Sequence, residues 1–296
     1  MLMIGPPGCG KSMIAKRIPT ILPSMTEEES LEVTKIYSVA GLLKHRGDLI
    51  RERPFRDPHH NASTNSLIGG GNYATPGEIS LAHHGVLFLD EIAEFQKKTL
   101  DGLRQPIEDR VVTITRVKST NTYPCNFMLV AAMNPCPCGY YGQPRCRCTD
   151  YEVLKYQQTI SGPILDRMDV QKYIQPVDFF SLTNGYHGRS SAEIRERVEA
   201  ARAIQKKRYS GYKGITCNAQ MTSGMIHDYC ELEEGGMRLL QKAYERFQYS
   251  ARTFHKFLKL ARTYADLEGA TKIRQKDVAS ALTARDLDKD QKGMVV

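Results

Sequence analysis

Gly5-Pro6-Pro7-Gly8-Cys9-Gly10-Lys11-Ser12 fits G-x-x-x-x-G-K-[ST], a loop that grips phosphate. A glycine-rich run through Pro7, Gly8, Cys9 and Gly10 lets the backbone curl until successive N–H groups point at one anion. Lys11 then reaches the β- and γ-phosphates of ATP, and the Ser12 hydroxyl ligates Mg²⁺. The helix expected to begin near Lys11 adds its positive N-terminal end. The apolar run Met1–Ile4 supplies the strand that must feed such a turn.

A second set of residues complements the first. Val86-Leu87-Phe88-Leu89-Asp90-Glu91 reads as a buried strand ending in two carboxylates. Strands of parallel sheets are continuous apolar runs, and ligands bind at their carboxyl ends. Asp90 is therefore placed to hold Mg²⁺ through water. Glu91 is placed to orient and deprotonate an attacking water. Phe127–Met133 is a further strand, ending in Asn134. A polar residue there could position the lytic water, while an ordinary Asn-Pro turn is the plainer alternative.

Four of the eight cysteines cluster as Cys136-Pro137-Cys138 and Cys146-Arg147-Cys148. Four thiolates suit tetrahedral Zn²⁺, although C-x-C is tighter than the usual C-x₂-C. Free thiols or a redox pair are the alternatives. The position just after Asn134 suggests a clip that orders this loop. Cys9, Cys125, Cys217 and Cys230 read as core or loop residues. His59-His60 and His83-His84 lack metalloprotease spacing and read as loop residues, with a polar role at a subunit interface as the alternative.

The elements that must hold these residues fall into two groups. All 14 prolines lie at or before Pro176, together with the β-branched runs and glycine-rich loops. The expected strands cover 1–4, 86–89, 111–117, 127–133 and 170–175. The expected helices cover 11–20, 26–38, 97–108 and 152–159. Alternation of strand and helix predicts an α/β domain, a parallel sheet with helices on both faces, over 1–185. Residues 186–296 read as an all-α domain. Ile194, Val198, Ala201 and Ile204 follow the N-cap site Ser190-Ser191. Phe254, Phe257, Leu258, Ala261, Tyr264 and Ala265 form a stripe that ends at Gly269. A third helix is expected from Gln275 through Leu282, and the tail from Asp286 reads as charged and frayed.

Composition is that of an ordinary globular protein, 41% hydrophobic and 25% charged, with no apolar run long enough to cross a membrane. The net charge of +8 favours a polyanionic partner, though weakly. No signal peptide precedes the P-loop strand, which suggests a cytoplasmic protein with an incomplete N-terminus.

Gly5–Ser12, Val86–Glu91, Asn134-Pro135-Cys136-Pro137-Cys138-Gly139 and Leu165-Asp166-Arg167-Met168-Asp169 together resemble the magnesium-chelatase-like branch of AAA+ ATPases. Within that branch the chain resembles the ComM/YifB family. Phe55–His60, Ala74–Ile79 and Ser190–Arg195 match it as well. The resemblance implies an AAA+ P-loop NTPase core followed by an α-helical lid. It also implies a helix-2 insert near 61–85 and a pre-sensor-1 hairpin near 111–124, with Arg116 and Lys118 close to its tip. In ring-shaped relatives these elements face a central pore, where a basic tip would meet phosphate backbone. Arg167 matches the arginine finger, which acts on ATP held by a neighbouring subunit and is worth about 10³–10⁵ in rate. Arg252 matches the sensor-2 position. Members of the family carry an N-terminal domain resembling the Lon protease domain, for which this chain has no counterpart. The resemblance implies a hexameric ATPase that drives DNA branch migration during recombination and natural transformation. The alternatives are a magnesium-chelatase motor subunit that remodels a protein partner, and a regulatory nucleotide-binding module with little turnover.

Overall fold

The computed structural model describes residues 1–43, 45, 47–116, 119–176 and 188–285. Lys118 and the tail from Asp286 lie outside them. The described residues fall into two compact units, one within 1–168 with 173–176, the other 169–172 with 188–285. No helix among the described residues is long and apolar enough to cross a membrane.

The strands, in chain order, are β1 (Leu2–Ile4), β2 (Phe55–Arg56), β3 (Gly69–Gly70), β4 (Thr75–Pro76), β5 (Val86–Leu89), β6 (Val111–Thr115), β7 (Thr120–Pro124), β8 (Met128–Met133) and β9 (Gln171–Tyr173). Five form one sheet in the order β2-β5-β8-β1-β9. β1 pairs parallel with β8, β8 with β5, and β5 with β2. Parallel neighbours need long crossovers, and the helices Lys11–Ile21 and Glu27–Val39 lie between β1 and β2. Met3, Val86, Phe88, Val130 and Ala132 bury one face of the sheet with Ala15 of the first helix. Leu2, Ile4, Leu87, Leu89 and Ala131 point the other way and are just as fully buried. Burial on both faces is why these strands read as unbroken apolar runs.

Several expected boundaries shift for identifiable reasons. The helix expected over 97–108 is two helices, Lys97–Asp101 and Arg104–Asp109. Pro106 cannot continue the first helix, but it fits the first turn of the second. The helix expected over 152–159 runs from Asp150 to Gln157, because Thr149 and Glu152 form a reciprocal capping box. The strand expected over 111–117 stops at Thr115, where the Arg116 N–H turns to the Ser119 carbonyl at 2.8 Å. β2 was not foreseen; its two residues lie between Pro54 and Pro58, too few to show a period.

The second unit is helical: Ser191–Arg208, Ser223–Tyr229, Glu234–Phe247, Ala251–Leu267 and Gln275–Thr283. Ser190 caps the first helix by a capping box with Glu193, and Ser250 caps the fourth. Phe257, Leu258, Ala261 and Ala265 form the buried stripe, packed with Leu240, Ile273, Val278 and Ala281. On the first helix the buried positions are Ala201 and Gln205, while Ile204 is exposed. A polar contact overrides the apolar period there: Gln205 donates to Asp266 at 3.3 Å.

Candidate nucleotide site

Strand order brings the chemistry together. β8 lies between β1 and β5, so Asn134, the P-loop and the Asp90-Glu91 pair emerge from neighbouring strand ends. Gly8 and Gly10 adopt φ of 79° and 89°, and Gly10 is the left-handed N-cap of the Lys11–Ile21 helix. Lys11 is nearly buried: its Nζ donates to the Gly5 carbonyl at 2.7 Å, to the Pro6 carbonyl at 3.0 Å and to Asn134 Oδ1 at 3.3 Å. Ser12 Oγ donates to Asp90 Oδ2 at 2.7 Å. The Glu91 N–H donates to the other Asp90 oxygen at 3.0 Å. Pro7 and Gly8 are exposed, and Cys9 is buried beneath them. Lys11 with Asn134, and Ser12 with Asp90 and Glu91, thus form two hydrogen-bonded sets at adjoining strand ends.

Two partners of this group were missed. Glu91 sits at φ 49° and ψ 47°, a left-handed conformation unusual for a side chain of its size. Its Oε2 lies 3.4 Å from His60 Nδ1. No sequence signal pointed to this contact: β2 ends at Arg56, opposite Leu87, and His60 reaches Glu91 from the turn beyond it. Tyr156 accepts a hydrogen bond from the Asn134 N–H, and burial pushes its phenol up to about 12. It therefore stays neutral beside the acidic residues.

Arg167 follows the helix Gly162–Leu165. Its Nη1 donates to the Pro163 carbonyl at 2.6 Å and its Nη2 pairs with Glu108 Oε2 at 2.7 Å. Its Nε is buried with no hydrogen-bond partner. Arg252 is exposed in the first turn of the helix Ala251–Leu267.

Residues 1–182 match the family model described as magnesium chelatase, subunit ChlI, and residues 188–285 match the model of its C-terminal region. The chain belongs to the magnesium-chelatase-like AAA+ family. It is 42% identical over 291 residues to the uncharacterized protein YifB of Escherichia coli, covering 98% of this chain and 56% of that protein. It is 41% identical over 288 residues to the competence protein ComM of Haemophilus influenzae, covering 96% and 55%. This AAA+ chain therefore spans about half the length of the curated relatives it matches.

The two segments expected as inserts pack on each other. The first comprises the helix Thr64–Ile68, the β3–β4 hairpin and the helix Glu78–Leu81. The second is the β6–β7 hairpin. Arg116 Nη2 donates to Asn65 Oδ1 at 2.9 Å, and the Tyr123 hydroxyl donates to the Ala74 carbonyl at 2.9 Å. Tyr73, at the turn between β3 and β4, is 74% exposed. His83 and His84 lie in a turn, as expected, and tie the segment after the helix Glu78–Leu81 to the Glu27–Val39 helix. Both Nε2 atoms meet Glu32 Oε2, at 3.0 and 2.8 Å. The Asn126 N–H occupies His83 Nδ1, so the His83 proton is on Nε2 and no lone pair there is left for a metal.

The cysteine cluster is assembled. Cys136, Cys138, Cys146 and Cys148 place all four sulfurs within 4.8 Å of one another. The spacings are 3.4 Å for Cys136–Cys138, 3.9 Å for Cys136–Cys146 and 3.7 Å for Cys138–Cys146. Backbone N–H groups of Arg147 and Tyr140 hold the Cys138 thiol down to about 6. Cys9, Cys125 and Cys230 are buried singly.

Proposed function

We propose that this chain is an ATP-hydrolysing motor that works on DNA as a hexameric ring. The observation that carries the reading is the Lys11–Asn134 and Ser12–Asp90 hydrogen bonds beside Glu91. Lys11 and the P-loop amides bind the phosphates, Ser12 and Asp90 hold Mg²⁺, Glu91 activates water and Asn134 positions it. Arg167 completes the site of an adjacent subunit. The sensor-2 role of Arg252 rests on the family resemblance alone. Glu91→Gln is expected to bind ATP with near-parental affinity while turnover falls by about 100-fold or more, as for loss of a general base. Turnover within a few-fold of parental would end the assignment.

The DNA reading is supported by the name of the competence relative, by the basic balance of the chain, by Arg116 bonded to Asn65 and by the exposed Tyr73. Branch migration in recombination and natural transformation is the corresponding task. The family description favours a second reading, a chelatase-type motor that remodels a protein. Salt titration of forked-DNA binding with ATP separates them. Reversing both Arg116 and Lys118 to Glu is expected to abolish binding at physiological salt, and where low salt restores it, to flatten its salt dependence by about one slope unit per lost phosphate contact. No binding by the parental protein at low salt favours protein remodelling.

For the cysteine cluster the reading is one structural Zn²⁺. Tetrahedral coordination sets neighbouring sulfurs about 3.8 Å apart, given Zn–S of about 2.3 Å. The spacings of 3.4–3.9 Å among Cys136, Cys138 and Cys146 bracket that value, and Cys148 lies within 4.8 Å of each.

A further inference from the structure

We infer that the ion held by Cys136, Cys138, Cys146 and Cys148 braces the phosphate-binding loop, so that nucleotide affinity depends on the metal. This rests on the nucleotide-site and zinc readings above.

The segment from Asn134 to Gly139 touches the P-loop at two points. At one, Asn134 Oδ1 accepts from Lys11 Nζ. At the other, the backbone of Gly139 lies against Pro7. A Cβ placed on Gly139 would sit 2.7 Å from Pro7 Cδ and 2.8 Å from Pro7 Cγ. Gly139 has φ of 85° and closes a turn onto the Cys136 carbonyl at 2.9 Å. The two thiols of that turn, Cys136 and Cys138, thus fix how the strand end meets both Pro7 and Lys11.

Little else fixes the turn. Between Pro137 and Cys148 there is no regular strand or helix, and Gly139 is the one buried residue. A loop of this length without secondary structure or an apolar core needs another constraint. The remaining contacts are local: the Arg145 guanidinium lies 3.7 Å from the Tyr140 ring centre, and the Cys146 N–H reaches the Gln143 carbonyl at 2.9 Å. Sulfurs also accept from backbone amides, Cys138 from Arg147 and Tyr140, and Cys148 from Cys138. Such amide contacts orient metal-bound sulfurs. Binding of a divalent ion releases thiol protons and couples its own affinity to the order of the loop. That order is passed to the P-loop through Gly139–Pro7 and Asn134–Lys11.

The experiment measures zinc content and the dissociation constant of a fluorescent ATP analogue on the full chain. Reduced protein is expected to hold one zinc per chain. Stripping it with a thiol reagent and chelator, then regenerating the thiols, is expected to weaken nucleotide binding about tenfold, with recovery on adding Zn²⁺. Gly139→Ala should keep its zinc and still bind nucleotide about tenfold more weakly, because the methyl group displaces Pro7. Gly142→Ala is the control. Gly142 also has a positive φ, 79°, but its Cβ would meet nothing within 4 Å. It should retain both zinc and parental affinity. Equal affinity with and without metal, or equal losses in the two glycine variants, overturns the coupling alone. Absence of zinc from reduced protein overturns the metal reading. Failure of zinc-loaded protein to bind nucleotide overturns the nucleotide site.

Discussion

Arg167→Ala lowers ATP turnover of the assembled protein by about 10³-fold or more while leaving ATP affinity within a few-fold, if Arg167 supplies the neighbour's finger. The guanidinium is not idle in the single chain. It pairs with Glu108 at 2.7 Å and donates to the Pro163 carbonyl, and its Nε is buried with no hydrogen bond. A finger must leave such a pair to reach an adjacent phosphate. The acid is solvated, with the Glu108 side chain 42% exposed against 13% for Arg167, so losing Glu108 strips one restraint from the guanidinium without burying a charge. Glu108→Ala should therefore turn over ATP at or above the parental rate. Mixing separates action across subunits from a local role. Lys11→Ala protein lacks the phosphate grip but keeps its finger, and Arg167→Ala protein has the reverse defect. Mixed together, they are expected to regain measurable turnover that neither shows alone. Absence of recovery, with mixed assembly verified, would place Arg167 within its own chain.

Asp266→Ala is the substitution expected to cost most in stability. Its carboxylate is wholly buried in the helical unit. It accepts from Arg208 Nη1 at 2.8 Å, Arg262 Nε at 3.0 Å, Asn218 Nδ2 at 2.8 Å and Gln205 Nε2 at 3.3 Å. Arg262 is 1% exposed and also donates to the carbonyls of Ala270 and Thr271, which fixes the end of its own helix. Removing the acid leaves two guanidiniums in a site without a counter-charge. Breaking a buried pair this way costs about 3–5 kcal/mol. For a unit of this size that lowers the helical transition by more than ~10 °C in calorimetry. The same network sets an acid limit. Burial raises the Asp266 pKa, but hydrogen bonds from Arg208 and Asn218 and the charge of Arg262 outweigh it and hold the pKa below the usual carboxylate range. Its contribution is therefore complete above the unfolded value of about 3.9 and is lost as pH falls through the lower folded value. Melting temperatures of parental protein and Asp266→Ala should converge only in that acid range.

Much of the nucleotide site was legible because its signals are local. The P-loop needs glycine where φ is positive, as at Gly8 and Gly10, and the Asp90-Glu91 pair ends an unmistakable apolar run. The four cysteines announced themselves by proximity in the chain. The contact of His60 with Glu91 did not, because it depends on pairing β2, a strand of two residues, against β5. His83 and His84 likewise look like loop residues until Glu32, far away in sequence, is brought to their ring nitrogens. In the helical unit the apolar period misplaced Ile204, because Gln205 is drawn inward by Asp266.

By itself the sequence determined which groups are present and which turns they can make: glycines that take positive φ, an acidic strand end, a polar strand tip and clustered thiols. Tertiary structure decided which of them meet. Inserting β8 between β1 and β5 set Asn134 against Lys11, and a glycine without Cβ let the thiol turn rest on Pro7. Local residue type fixes backbone conformation and chemistry over a few positions. Neighbours from distant segments are chosen by strand order and burial, which no short stretch of the chain contains.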